Sequence, residues 1–160
     1  MTESSKTVYV LDTSAILDCW ERYYPPDVFP GLYKNIEQMI ADEKLISPDE
    51  IYRELEKKDD AAFAWAKRNR TMFLPLDNAT QIEVAAILGS HPLLIQAGGR
   101  RSGGDPFVVA VAKVFNGVVV TAEKDQLTQK RVTIPRVCSE LGIRCLQVIE
   151  FIRERKWVFR

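Results

Sequence analysis

One histidine stands in 160 residues. A zinc centre built on imidazole is therefore close to excluded. That residue, His91, precedes a proline in a loop-like stretch and reads as structural or solvent-facing. Cysteine is scarce as well. Cys19, Cys138 and Cys145 form no CxxC or Cys/His pattern, and an odd number leaves at least one unpaired. They read as free thiols in a reducing compartment, with no histidine partner for nucleophilic chemistry. Charge of one sign is missing: 22 Lys and Arg balance 22 Asp and Glu. No overall basic excess announces nucleic acid, although a local patch stays compatible with a zero sum. No apolar run approaches the roughly 18 residues of a membrane span. The start, MTESSKT, lacks the apolar core of a signal peptide. A cytoplasmic protein without membrane association is expected. Repeats, low-complexity tracts and linkers are also absent. The expectation is one domain over 1–160, with residues 1–6 flexible.

What is present is an alternation of short apolar runs and helical patterns. Val8–Leu11 reads as a buried strand, and Ser14 as the cap of a short helix from Ala15 to Trp20. Residues 28–43 place Leu32, Tyr33, Ile36, Met39 and Ile40 on one helical face. Leu45–Ile46 is a stub of strand. In "SPDE", Ser47 is set as N-cap, Pro48 as first helical residue and Glu50 as the closing acid of a capping box. That helix is expected to run through Glu54 to Lys57, and another over 60–69. Phe73–Leu76 reads as extended and Ala79–Leu88 as helical. His91–Asp105, with four glycines, reads as loop with a helical turn at Leu93–Gln96. Pro106–Phe115 is a buried helix stopped by "NG", and Val118–Thr121 a buried strand. Ile134–Ile143 is a helix ending at Gly142, followed by strand Cys145–Val148 and helix Ile149–Lys156. The fold class is α/β, with a short parallel sheet covered on both faces. In such sheets ligands bind beyond the carboxyl ends of the strands.

Four carboxylates fall near those ends. Asp12 follows the first strand directly, and Glu123 follows Val118–Thr121 by two residues. Asp105 opens the buried helix before that strand, and Glu54 lies on the helix after Leu45–Ile46. Gathered together they would repel unless a cation neutralised them. Hard oxygen ligands suit Mg²⁺ or Mn²⁺. Each acid also has an ordinary reading. Asp105 before Pro106 makes a good N-cap, and Asp12 can anchor the Thr13 and Ser14 amides. Glu54, between Glu50 and Lys58 at helical spacing, suits a solvated face, and Glu123 an exposed loop.

The ordered set "YVLDTSAIL", Glu54 in "SPDEIYREL", "GGDPFVVAVAK" and "VVVTAEK" resembles the PIN-domain nucleases, over about Val8 to Arg153. The segments Tyr23–Pro30 and Ile134–Arg153 resemble a bacterial and archaeal branch of that family. The resemblance implies a three-layer α/β/α sandwich and a metal-dependent endoribonuclease that hydrolyses RNA phosphodiesters with Mg²⁺ or Mn²⁺. It also implies a possible toxin of a type II toxin–antitoxin pair (VapC-like), with an antitoxin partner and a homodimer. By position, Asp12, Glu54, Asp105 and Glu123 match the acidic quartet. Ser14 and Thr121 match supporting hydroxyls. Two departures stand: the fourth acid is Glu where Asp is frequent, with Asp125 a rival, and Gly104 replaces the commoner Ala.

RNA would be held first through phosphates. Arg100, Arg101 and Lys124 are the candidates, with Lys130 and Arg131 further along. Lys67, Arg68 and Arg70 read rather as a helix end that favours cations. Trp20, Tyr23 and Tyr24 are candidate stacking residues, core or interface being the ordinary reading. The rival functions are a non-catalytic PIN-like scaffold or nucleic-acid-binding module, and a nuclease acting on DNA. A phosphotransferase with an Asp-x-Asp nucleophile is disfavoured by Ser14. A receiver domain is disfavoured by the order of the acids.

Overall fold

A computed structural model describes residues 6–94, 104–125 and 131–159. The calls on residues 1–5, on Ile95 and Gln96, on Arg100 and Arg101, and on Lys130 lie outside the described residues. Strand β1 (Tyr9–Leu11) leads into α1 (Thr13–Leu17), which continues as a π-helical stretch, Asp18–Tyr23. Next come α2 (Pro30–Ala41), β2 (Leu45–Pro48), α3 (Asp49–Lys58), α4 (Ala61–Arg68) and β3 (Phe73–Leu74). The rest is α5 (Asn78–Ser90), α6 (Asp105–Phe115), β4 (Val118–Val120), α7 (Ile134–Leu141), β5 (Cys145–Leu146) and α8 (Val148–Glu154).

All strand pairs are parallel, in the order β3-β2-β1-β4-β5. From β1 the chain steps outward through β2 to β3, then crosses back to β4 and β5. Right-handed crossovers put the helices of the two halves on opposite faces. Packing agrees: α6 lies against α5, α7 and strands β1, β2 and β4, whereas α3 lies against α1 and α4. The result is an α/β sandwich of three layers. Tyr9, Val10, Leu11, Leu45, Val118, Val119 and Val120 are buried, as strands covered on both faces must be. The apolar stripe of α2 is buried at all five positions read from the sequence.

Three local expectations are overturned. Ser14 does not cap α1; Asp12 does, its carboxylate accepting from the Ala15 amide at 2.8 Å. Ser47 does not start α3. It is the third residue of β2, wholly buried, and its hydroxyl donates to the Leu11 carbonyl of the neighbouring strand at 2.7 Å. A long-range acceptor thus takes the hydroxyl that a capping box needs, and α3 begins after Pro48 without a side-chain cap. Asp105 is not an N-cap either: Gly104 holds that position and Asp105 is the first helical residue. Ser47→Ala removes a buried hydrogen bond between β2 and β1, and is expected to lower stability by about 1–3 kcal/mol in urea unfolding. An unchanged midpoint would show that the two strands do not depend on it.

Two helix stops hold as read. Asn116 ends α6 at φ 52°, and Gly142 ends α7 at φ 71°. Among the described residues no helix is long and apolar enough to cross a membrane.

Candidate functional site

The sheet reverses its strand order between β1 and β4, so their carboxyl ends flank a switch point. Asp12 sits there. The β1–β4 ladder runs one step past β1, from the Asp12 amide to the Val120 carbonyl at 3.2 Å, which draws Asp12 into the interior. It is 2% exposed. Four bonds from three donors meet its carboxylate. The Thr121 hydroxyl donates at 2.5 Å, the Ser14 hydroxyl reaches both oxygens at 2.8 Å, and the Ala15 amide completes the set. The amide bonded is that of Ala15, not those of Thr13 and Ser14. Ser14 and Thr121 approach each other at 3.2 Å and also receive the Ala122 and Glu123 amides, both at 3.0 Å. The Ser14 and Thr121 hydroxyls thus both bond the Asp12 carboxylate, and they fasten the turn after β4 to the turn after β1.

Burial, with a smaller contribution from the nearby Glu123 charge, pushes the Asp12 carboxyl up to about 7. Thr121, Ala15 and Ser14 pull the other way without cancelling the loss of water.

Glu54, half-buried on α3, joins the neighbourhoods of two other acids. It accepts from the Thr13 hydroxyl, next to Asp12, and from the Gly104 amide at 2.8 Å, next to Asp105. Its expected solvated face is not what the fold uses. Asp105 is 4% exposed at the start of α6. Glu123 is half-buried and receives Arg131 at 3.2 Å. Its rival Asp125 is exposed and tied to Arg136 at 2.8 Å. The charge acting on Asp12 is that of Glu123. Asp12 and Glu123 thus lie within reach of each other's charge, and Glu54 bonds the segments next to Asp12 and Asp105. Even so, among the described residues no three His, Cys, Asp or Glu side chains form a group that could hold a metal ion. The bonds explain this in part: oxygens of Asp12, Glu54 and Glu123 are turned onto hydroxyls, an amide and a guanidinium.

Lys124 is exposed beside Glu123. A pocket of about 220 Å³ opens next to it, lined by Thr121, Glu123, Lys124, Cys145, Gln147 and Glu150 among others. Arg131 reaches the site's rim by holding Glu123. Arg70 is used structurally, against Asp49 at 2.8 Å and over the Tyr52 ring at 4.2 Å. Trp20 packs on Tyr33 and Trp65, and Tyr24 on Phe29, so both belong to the aromatic core; Tyr23 is exposed. His91 binds Glu140 at 2.5 Å, joining the end of α5 to α7.

Two residues at the site were not singled out for these roles from the sequence. Thr13 fixes Glu54, and its signal was the hydroxyl beside Asp12 in "DTS". Gln147 donates to the Glu123 carbonyl at 2.7 Å while forming a capping box with Glu150. The Gln-x-x-Glu spacing was the visible signal.

The family profile described as "Domain of unknown function (DUF4411)" matches residues 9–159. The chain belongs to DUF4411. No curated protein matches it. Among solved structures it is similar to the one titled "Crystal structure of PAE2754 from Pyrobaculum aerophilum". The two share 16% identity over 85% of this chain and 97% of that one, with a TM-score of 0.41. For this DUF4411 chain, the acids around Asp12 are what chemistry has to be argued from.

Proposed function

We propose that this DUF4411 protein is a divalent-metal-dependent endoribonuclease with a PIN-like site. The observation that carries the reading is Asp12: a buried carboxylate at the switch point, raised to about 7, with a second acid's charge acting on it. A fold keeps such a group at a loss unless something relieves it. A cation does so, and the donors present are carboxylates and hydroxyls, which suit Mg²⁺ or Mn²⁺. Asp12 and Asp105 would be its main ligands, with Glu54 and Glu123 binding directly or through water. Such an ion supplies an activated water and charge neutralisation at the phosphate. The chain does the rest. Thr121 and Ser14 orient the Asp12 oxygens, and Glu54 keeps the segments at Thr13 and Gly104 in register. Lys124, Arg100 and Arg101 would hold phosphates. A role as the toxin of a toxin–antitoxin pair rests on the sequence resemblance; growth arrest relieved by a neighbouring gene product would support it.

The second reading is a scaffold or nucleic-acid-binding module that retains the acids without catalysis. It is favoured by one observation: the described acids do not make a ready metal-binding group. Calorimetric titration of Mn²⁺ into wild type and Asp12→Asn separates the two. Saturable binding that Asp12→Asn abolishes, with circular dichroism unchanged, is expected, together with Mn²⁺-dependent cleavage of single-stranded RNA. Absence of binding in wild type, even with a non-cleavable RNA present, would establish the scaffold. Binding indifferent to Asp12→Asn would put the ion elsewhere.

A further inference from the structure

The main chain of Glu123 is held on both sides. Its amide donates to the Thr121 hydroxyl at 3.0 Å, and its carbonyl accepts from the Gln147 side chain at 2.7 Å. Thr121 is wholly buried and Gln147 caps α8, so the turn is fixed to β4 at one end and to α8 at the other. A side-chain rotation can therefore carry the Glu123 carboxylate to a new partner while the turn stays where it is.

The segment that supplies its cation is anchored as well. The Thr133 hydroxyl donates to the Lys124 carbonyl at 2.7 Å, and Arg136 donates to Asp125 at 2.8 Å. Val132 and Thr133 are buried. Arg131, directly before them, donates to the Glu123 carboxylate at 3.2 Å. Its side chain is 42% exposed, against 14% for that of Glu123. The acid is withdrawn from water, and the guanidinium reaches it from the solvent side. The second ion pair of this seam, Arg136 with Asp125, is exposed at both members. The first points inward, where the Glu123 charge acts on Asp12.

A half-buried carboxylate beside another buried acid needs a positive neighbour. Arg131 is one. A divalent ion shared by Glu123 and Asp12 would be another, and it needs the same carboxylate oxygen that now accepts from Arg131. We infer that Arg131 is a resident counter-ion that Glu123 exchanges for the metal: the guanidinium holds the carboxylate in the metal-free protein and is released toward solvent on loading. The inference rests on the metal-site reading above. It gives Arg131 a part that opposes loading, whereas a residue that merely placed Glu123 would assist it.

Calorimetric titration of Mn²⁺ into the full chain tests this, with circular dichroism as the check on folding. Arg131→Met removes the charge and keeps an unbranched stem. It should bind Mn²⁺ about tenfold more tightly than wild type, because a unit positive charge beside the ion is gone. Arg136→Met removes the same charge from the exposed pair, and its affinity should stay within about twofold of wild type. Urea unfolding gives a second readout. Metal-free Arg131→Met should have the lower midpoint, and saturating Mn²⁺ should raise that midpoint further than it raises the wild-type one. If Arg131→Met does not fold without metal, Arg131→Lys decides. Its more strongly hydrated ammonium yields the carboxylate sooner, so it too should bind Mn²⁺ more tightly than wild type. Equal or weaker binding by the Arg131 variants, with wild type binding normally, would overturn the inference alone. Equal tightening in Arg136→Met would do the same. If wild type takes up no Mn²⁺, the metal reading falls and the inference falls with it.

Discussion

Asp12→Asn should make the metal-free protein more stable at pH 8 while removing its response to Mn²⁺. The direction follows from linkage. An Asp carboxyl titrates near 3.9 in an unfolded chain and, at Asp12, at about 7 in the fold. The native state therefore holds the proton more tightly. The stability this provides is fully present below about pH 4 and is lost as pH rises through 7. A gap of about three pH units, at about 1.4 kcal/mol each, amounts to about 4 kcal/mol withdrawn by pH 8. Asn retains the capping function at the head of α1 and carries no charge. Urea unfolding of both proteins at pH 5 and pH 8 reads the effect as a double difference, which cancels other titrating groups. Wild type should weaken between the two pH values by roughly 2.5–3 kcal/mol more than Asp12→Asn, since about 1.5 kcal/mol of the total is already lost by pH 5. Mn²⁺ should restore wild type at pH 8 and leave Asp12→Asn unmoved. RNA cleavage by Asp12→Asn should fall by more than the roughly 10–100-fold typical of losing a residue that merely supports a metal ligand. Parallel pH profiles, with Asp12→Asn the weaker protein throughout, would mean that Asp12 is a charged structural anchor held at no cost.

Two glycine substitutions should move stability in opposite directions. Gly117 lies between α6 and β4, where a Cβ would meet the Val8 carbonyl oxygen at 2.8 Å. That oxygen is fixed by the Val118 amide at 2.9 Å, so backbone must shift on one strand or the other. Gly117→Ala should lose about 1–3 kcal/mol, as overpacking does. Gly89, inside α5, has nothing within 4 Å of a Cβ. Gly89→Ala should gain about 0.5–1 kcal/mol from the better helix former. The pair shares chemistry and differs only in surroundings, so midpoints in urea with unchanged slopes compare them directly. Equal signs would show that the β1–β4 approach is looser than the structure has it. A shift at Gly117 also displaces the strands that bring Asp12 to Thr121, so any RNA cleavage should fall further than stability alone accounts for.

Much of this architecture was legible because it is written locally. The α2 stripe is a 3.6-residue pattern, the runs of valine in β4 have no other use, and Asn116 and Gly142 stop helices by their own backbone preferences. The misreadings share a physical cause. Ser47 carries a valid capping signature, but a carbonyl 36 residues away in sequence competes for its hydroxyl and wins. Ser14 loses the cap to Asp12 because the β1–β4 ladder runs one step past β1 and sets Asp12 at the head of α1. The extension of α1 as a π-helical stretch to Tyr23 has no signal in the sequence that we can name. The four acids were read as a set from their order alone. Their contacts were not, since the bonds from Thr13 to Glu54 and from Thr121 to Asp12 span 41 and 109 residues.

That last span also dates the site within the life of the chain. The strand partner of Asp12 lies more than a hundred codons downstream of it. Until Thr121 and β4 emerge from the ribosome, the Asp12 carboxylate faces water and keeps an ordinary acidity. Burial and the raised proton affinity of Asp12 come with the pairing of β1 and β4.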